Sequence, residues 1–185
     1  NNLAQQNKAT IFPIDSEHSA IHQCLAGSLN SKNDVSKIVL TGSGGPFLNR
    51  DTSLLKDITP EEAISHPIWN MGKKISVDSS TMMNKGLELI EARWLFNVED
   101  IEILIHPEGI IHSMVEFKDN SVIAQLSLPD MKIPIAYGLG YPSRITSGTE
   151  KLNLAELGSL NFYNPNFNKF PCLNLAIEAM SCSGN

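Results

Sequence analysis

The sequence is short of positive charge: 14 Lys and Arg stand against 20 Asp and Glu, a formal net charge of −6. Such a balance argues against nucleic acid as a partner and against docking on an anionic membrane surface. Cysteine is scarce. Cys24, Cys172 and Cys182 are odd in number and form no C-x-x-C pair, which excludes a disulfide framework and fits small, buried, reduced thiols. No apolar run approaches the roughly 18–20 residues that cross a bilayer. The chain opens NNLAQQNKAT, without a Met, a basic stretch or an apolar segment, so no targeting signal is visible. It spells neither G-x-x-x-x-G-K-S/T nor G-x-G-x-x-G, which excludes a mononucleotide P-loop and a dinucleotide fingerprint. H-E-x-x-H is missing too; His18 and His22 have i, i+4 spacing but no third zinc ligand beside them.

What remains is a globular composition, 42% hydrophobic, enough to bury a core in one domain or one domain plus part of a second. TIFPI (10–14) predicts a short strand ending on Asp15, followed by a helix over about 16–25. Residues 27–37 are polar and loop-like. KIVL (37–40) is a β-branched strand running into a glycine-rich turn, TGSGGP (41–46). Thr59-Pro60-Glu61-Glu62 offers an N-cap, a Pro at the first helical position and an acidic first turn, for a helix that ends before Pro67. KISV (74–77) predicts another strand. Asp78-Ser79-Ser80-Thr81 supplies capping residues for a helix over about 81–96, with Met83, Leu87, Ile90 and Trp94 as its core-facing stripe. Segments 101–105, 110–117 and 121–128 predict strands, the last two joined by Lys118-Asp119-Asn120 as an antiparallel hairpin. A helix from about Pro134 stops near Pro142. An Asn-, Ser- and Thr-rich linker over 143–168 leads to another helix from Pro171. The whole predicts an α/β (mixed α+β) fold: a central mixed sheet with an antiparallel hairpin, covered by helices.

Three groups of residues carry candidate chemistry. Asp15 and Glu17 sit two apart after a strand, and Glu88 lies on the long helix at the edge of its buried face. Three convergent carboxylates without Cys or His suit a hard cation, Mg²⁺ or Mn²⁺; spacing alone favours a solvated surface acid pair. Gly42-Ser43-Gly44-Gly45 lets backbone N–H groups approach an anion, or makes an ordinary tight turn. Ser79-Ser80-Thr81, Asn84 and Lys85 read as a phosphate site at a helix start, or as plain capping with a solvated lysine. Asn84 and Glu88, four apart, share a face. His66-Pro67-Ile68-Trp69-Asn70-Met71-Gly72 is loop-like with large apolar side chains, which fits a lid or simple packing. The same carboxylates and anion sites fit metal-dependent phosphoryl transfer, but no base or nucleophile stands out for it.

In order along the chain, PIDSEHSAI (13–21), LTGSGGPF (40–47), HPIWNMGKKISVDSSTMMNKGLELIEARWLF (66–96), HPEGIIHSMVEF (106–117), QLSLPDMKIPIAY (125–137) and FPCLNLAIEA (170–179) resemble the 1-deoxy-D-xylulose 5-phosphate reductoisomerase family. The resemblance covers nearly the whole chain. It implies an NADPH-dependent oxidoreductase and isomerase that converts 1-deoxy-D-xylulose 5-phosphate to 2-C-methyl-D-erythritol 4-phosphate in non-mevalonate isoprenoid biosynthesis. It further implies that Asp15, Glu17 and Glu88 hold Mg²⁺ or Mn²⁺. Ser43, His66, Ser79, Asn84 and Lys85 would hold the substrate phosphate, and Ser16, with Glu17 and Glu88, would meet substrate hydroxyls near the metal. His66, Trp69 and Met71 would belong to a lid, and Gly72 would lie near NADPH. The family is expected as a homodimer, in a bacterial cytoplasm or a plastid-type organelle. Against its pattern, residues 1–14 are expected as the end of a nucleotide-binding domain, 15–142 as the catalytic metal- and substrate-binding domain, 143–168 as a linker, and 169–185 as the start of a truncated helical domain. By itself such a fragment is expected to bind metal and sugar phosphate without redox activity. Gly140-Tyr141-Pro142 stands where some relatives carry Ala-Trp-Pro.

Overall fold

The structure, a computed structural model, describes residues 2–26 and 34–182. Its frame is a four-stranded mixed sheet of β1 (Val35–Gly42), β2 (Ile101–Ile105), β3 (Ile111–Phe117) and β4 (Val122–Leu126), in the order β2-β1-β3-β4. β1 and β2 pair in parallel; β1 with β3 and β3 with β4 are antiparallel. The β3–β4 hairpin turns on Asn120, which takes a left-handed φ of 66° as Asn tolerates. Around the sheet lie α1 (Asn2–Gln6), α2 (Ser16–Leu25), a 3-10 turn (Thr52–Asp57), α3 (Pro60–Ile64), α4 (Lys73–Ser80), α5 (Met83–Phe96), α6 (Lys132–Gly140), α7 (Leu154–Leu157) and α8 (Pro171–Ser181).

One apolar cluster holds these elements together. Ile21 of α2, Leu89, Ala92 and Phe96 of α5, and Leu173 of α8 meet Ile38, Leu40, Ile105 and Val115 of the sheet. α8 lies so close to α5 that a methyl on Gly86 would come within 2.6 Å of the Ala176 methyl. The expected N-cap of α3 is present and is part of a capping box: Thr59 accepts from the Glu62 N–H, and Glu62 accepts from the Thr59 N–H. The segment over 143–168 is tied to β2. Tyr163 bridges Ile105, Phe162 stacks on His106, and Asn161 bonds Glu108.

Several expectations need correction. Residues 10–14 form no strand; Pro13 has no N–H for a ladder, and Phe12 instead packs on His22, Tyr137 and Tyr141. KISV is helical, within α4. Its inward face is made by Ser76 and Ser80, four apart, while Ile75 and Val77 stay exposed, and Lys74 pairs with Asp78 at 2.6 Å along the helix. α5 therefore starts at Met83, not Thr81. Its stripe is also rotated: Trp94 is 63% exposed and Leu87 39%, whereas Leu89, Ala92 and Phe96 enter the core. Of the cysteines only Cys24 is buried; Cys182 is exposed at the end of α8. Within the polar stretch 27–37, residues 27–33 lie outside the described residues and β1 already begins at Val35.

Leu173 is fully buried although it lies late in the chain. Leu173→Ala is expected to cost about 2–5 kcal/mol in urea unfolding, as large-to-small changes in packed cores do. A loss below about 0.5 kcal/mol would show that α8 does not belong to this core.

Candidate metal and anion site

The site forms where three chain segments end near one another. Asp15 caps α2 without bonding its N–H groups through the side chain; its carboxylate faces His18 instead, at 3.6 Å. Ser16 and Glu17 follow in the first turn, near the positive end of the helix dipole. β1 ends at Gly42 and opens into Ser43-Gly44-Gly45. Asn84 and Lys85 stand in the first turn of α5, with Glu88 one turn on. Together with Ser79 and the loop carrying His66, Trp69 and Met71, these residues line a cavity of about 380 Å³. Eleven of the twelve residues that the family resemblance assigned lie on its wall. Gly72 does not; it caps α4, and a methyl added there would meet nothing within 4 Å.

Asp15, Glu17 and Glu88 each bring a carboxylate oxygen into a group whose members lie within 4.8 Å of one another. Lys85 is buried at 5% exposure, with its Nζ 2.7 Å from Glu17 Oε1 and 2.5 Å from Glu88 Oε2. Asn84 Nδ2 donates to the other Glu88 oxygen, and Ser16 Oγ donates to Glu17 Oε2 at 2.5 Å. Burial, then the charge of Glu17, pushes the Glu88 carboxyl well above its ordinary range, against the pull of Lys85. For Asp15, desolvation works upward, but the His18 hydrogen bond and the Lys85 charge outweigh it and hold the carboxyl low. For Lys85, burial is overcome by Glu17 and Glu88, and the ammonium is held above its ordinary value. Three carboxylates facing one ammonium lack positive charge, and all their donors are oxygen. That set fits a hard divalent cation.

The glycine loop after β1 is the candidate anion site. Gly44 and Gly45 have φ of 88° and 69°, left-handed values that favour glycine. A methyl on Gly45 would also strike the Ser79 carbonyl at 2.6 Å, so the loop and α4 touch only because it is absent. His66 Nδ1 accepts the N–H groups of Ile68 at 3.2 Å and Trp69 at 2.9 Å. Its proton therefore sits on Nε2, which donates to Ser43 Oγ at 3.1 Å. The Ser43 hydroxyl proton is left to face the cavity. The same imidazole thus joins the anion loop to the backbone under Trp69. The Trp69 ring lies 6.1 Å from that of His112, and Ile68 packs over Gly109. Ser79 reaches the site from the end of α4, not from a helix start as the spacing implied. Ser80 and Thr81 turn away and bond backbone carbonyls of α4, while Thr81 also accepts the Met83 N–H.

Some site residues were not legible. Met82 lines the cavity, 3% exposed, in a left-handed conformation with φ 61°. That break aims the first turn of α5 at the cavity, and nothing in the sequence marks it. Glu91 and His18 form a second group with Asp15. The Glu88-x-x-Glu91 spacing carries a weak signal for it. His18 and His22 do not converge: His18 Nε2 donates to the Glu88 carbonyl at 3.0 Å, whereas His22 Nδ1 bonds the Tyr137 hydroxyl at 2.7 Å.

Residues 11–96 match a family model described as the 1-deoxy-D-xylulose 5-phosphate reductoisomerase C-terminal domain, and 126–185 match one described as the DXP reductoisomerase C-terminal domain. The 1-deoxy-D-xylulose 5-phosphate reductoisomerase of Clostridium tetani is 58% identical, covering 98% of this chain and 47% of its own length. That of Cupriavidus pinatubonensis is 57% identical, covering 97% of this chain and 46% of its own. A crystal structure of DOX-P reductoisomerase in complex with NADPH, fosmidomycin and magnesium superposes with a TM-score of 0.92 at 48% identity, over 97% of this chain and 47% of that one. The Zymomonas mobilis enzyme in complex with NADPH gives 0.89 at 42%, over 98% and 46%. The chain spans about half the length of the curated relatives it matches.

Burial lowers the His66 pKa below its ordinary 6.5. A lowered value in the folded state means that the released loop takes the proton first. The loop contact is whole above about pH 6.5 and is lost as pH falls through the lower, folded value. In a Trp94→Phe background, Trp69 emission is expected to shift toward that of a solvent-exposed indole over this range. The transition should vanish in His66→Gln. A wild-type signal that stays flat down to about pH 5 would refute the latch.

Proposed function

The chain belongs to the 1-deoxy-D-xylulose 5-phosphate reductoisomerase family, and from that premise we propose that its cavity holds the metal and the substrate of an NADPH-dependent enzyme converting 1-deoxy-D-xylulose 5-phosphate to 2-C-methyl-D-erythritol 4-phosphate. The observation that carries this reading is one cavity lined both by a three-carboxylate group and by the Ser43, His66 and Ser79 donors, with Asn84 and Lys85 beside them, bonded to the carboxylates. A ketose phosphate has this same division, with ketone and hydroxyl oxygens at one end and a dianion at the other. When bound, Mg²⁺ or Mn²⁺ at Asp15, Glu17 and Glu88 supplies Lewis-acid polarisation of the substrate oxygens. Ser16, already bonded to Glu17, presents a hydroxyl beside them. Ser43 and Ser79 offer hydroxyls to the phosphate, and His66 orients the Ser43 hydroxyl through its N–H. Trp69 and Met71 form the apolar side of the cavity and exclude water when the loop is seated.

The 185 residues spell no G-x-G-x-x-G fingerprint. Gly72 stands near NADPH only on the family pattern. The bacterial relatives support a cytoplasmic setting, and the family pattern supports a homodimer. The missing fingerprint, with a chain half as long as its relatives, also favours a second reading. By itself the chain binds metal and sugar phosphate and transfers no hydride.

The test is NADPH oxidation driven by 1-deoxy-D-xylulose 5-phosphate, in Mn²⁺ and in EDTA, on the complete protein that carries this chain. Turnover is expected only with metal. Asp15→Asn and Glu88→Gln are each expected to lose on the order of 10²-fold or more in kcat/KM, the scale of removing a charge-stabilising group. Equal turnover in EDTA, or in either variant, would sink the proposal. For the chain alone, calorimetry with Mn²⁺ and fosmidomycin should show metal-dependent binding without NADPH oxidation. Oxidation by the chain alone refutes the second reading.

A further inference from the structure

Lys85 is turned away from the anion wall. Its ammonium is committed to Glu17 and Glu88, two of the three carboxylates assigned to the metal. The commitment has a physical reason. Carboxylates held this close repel unless a positive charge lies among them. Lys85 supplies that charge from a buried position, between buried Glu88 and partly buried Glu17. Its stem runs along the end of β1. A methyl on Gly42 would fall 2.7 Å from Lys85 Cε and 3.6 Å from Nζ. Gly42 immediately precedes the Ser43-Gly44-Gly45 loop, so the end of the Lys85 side chain lies beside the start of that loop. Asn84 is held in the same way, by its bond to Glu88. Two of the five donors assigned to the phosphate are therefore tied up by metal ligands.

We propose that Lys85 is a resident counter-cation, which a divalent cation displaces from Glu17 and Glu88 toward the Ser43–Gly45 loop, so that metal binding arms the anion pocket. This rests on the reading of Asp15, Glu17 and Glu88 as metal ligands. Replacing one positive charge by two relieves the charge deficit of the cluster and releases Lys85 and Asn84 together. Metal and phosphate then strengthen each other's binding, by equal factors, without touching.

Calorimetry on the full chain with Mn²⁺ and inorganic phosphate tests this. In the wild type, saturating Mn²⁺ is expected to tighten phosphate binding roughly ten-fold, within the usual range of couplings between sites. Lys85→Met should bind Mn²⁺ at least as tightly, while its phosphate affinity changes with Mn²⁺ by less than about two-fold. A coupling that survives in Lys85→Met would mean that metal and phosphate touch directly, and would overturn the proposal. A wild-type measurement covers the case of a variant that does not fold. The labelled ε-carbon resonance of Lys85, assigned through Lys85→Arg, should move on adding Mg²⁺ alone, and an unmoved resonance overturns the hand-over. Failure of the wild type to bind Mn²⁺ refutes the metal-ligand reading itself. Binding of Mn²⁺ with Lys85 unmoved refutes only the hand-over.

Discussion

The ammonium of Lys85, buried between the carboxylates of Glu17 and Glu88, is the contact on which the cavity depends. It joins the first turn of α2 to the first turn of α5. Without it, those two helix starts would present a cluster of like charges to each other, and the shared core behind them would have to absorb the repulsion. His18 reinforces the joint from below: its Nε2 bonds the Glu88 carbonyl, and its Nδ1 faces Asp15 at 3.6 Å. The acids are thus fixed in direction as well as position.

The other wall depends on absences. At Gly42, Gly44 and Gly45 there is no side chain, and Lys85, Leu48 and Ser79 fill the space. Rigid acids face a loop that can approach an anion with its backbone. Between them, His66 makes one imidazole serve both the anion loop and the segment under Trp69. What binds at Ser43 is therefore felt at the rim of the cavity.

Much of this was legible in the sequence, and the failures share a cause. The hairpin, the N-cap at Thr59, and the helices from Ser16 and Pro171 are local signals, and local signals survive folding. KISV misled because β-branched residues at alternate positions usually mark a strand; here tertiary packing buries the two serines instead. α5 offered two possible apolar stripes. Periodicity cannot choose between them when part of the buried face is polar, and Lys85 and Glu88 occupy that part. Charged side chains read as solvated, so their burial at 5% and 2% was the least visible fact about the site. The kink at Met82 has no local signature at all.

The Lys85–Glu17 contact closes a span of 68 residues, and the His18–Glu88 contact one of 70. Such long closures carry a large entropic cost before they return any stability, so they form late relative to hairpins and single helices. The β3–β4 hairpin has its shape as soon as its own turn closes; the cavity has none until α2, β1 and α5 have met. Its assembly is thus a record of completed folding. A chain arrested with α2 undocked can retain the hairpin and much of its helix, yet present only scattered acids and an unoccupied glycine loop.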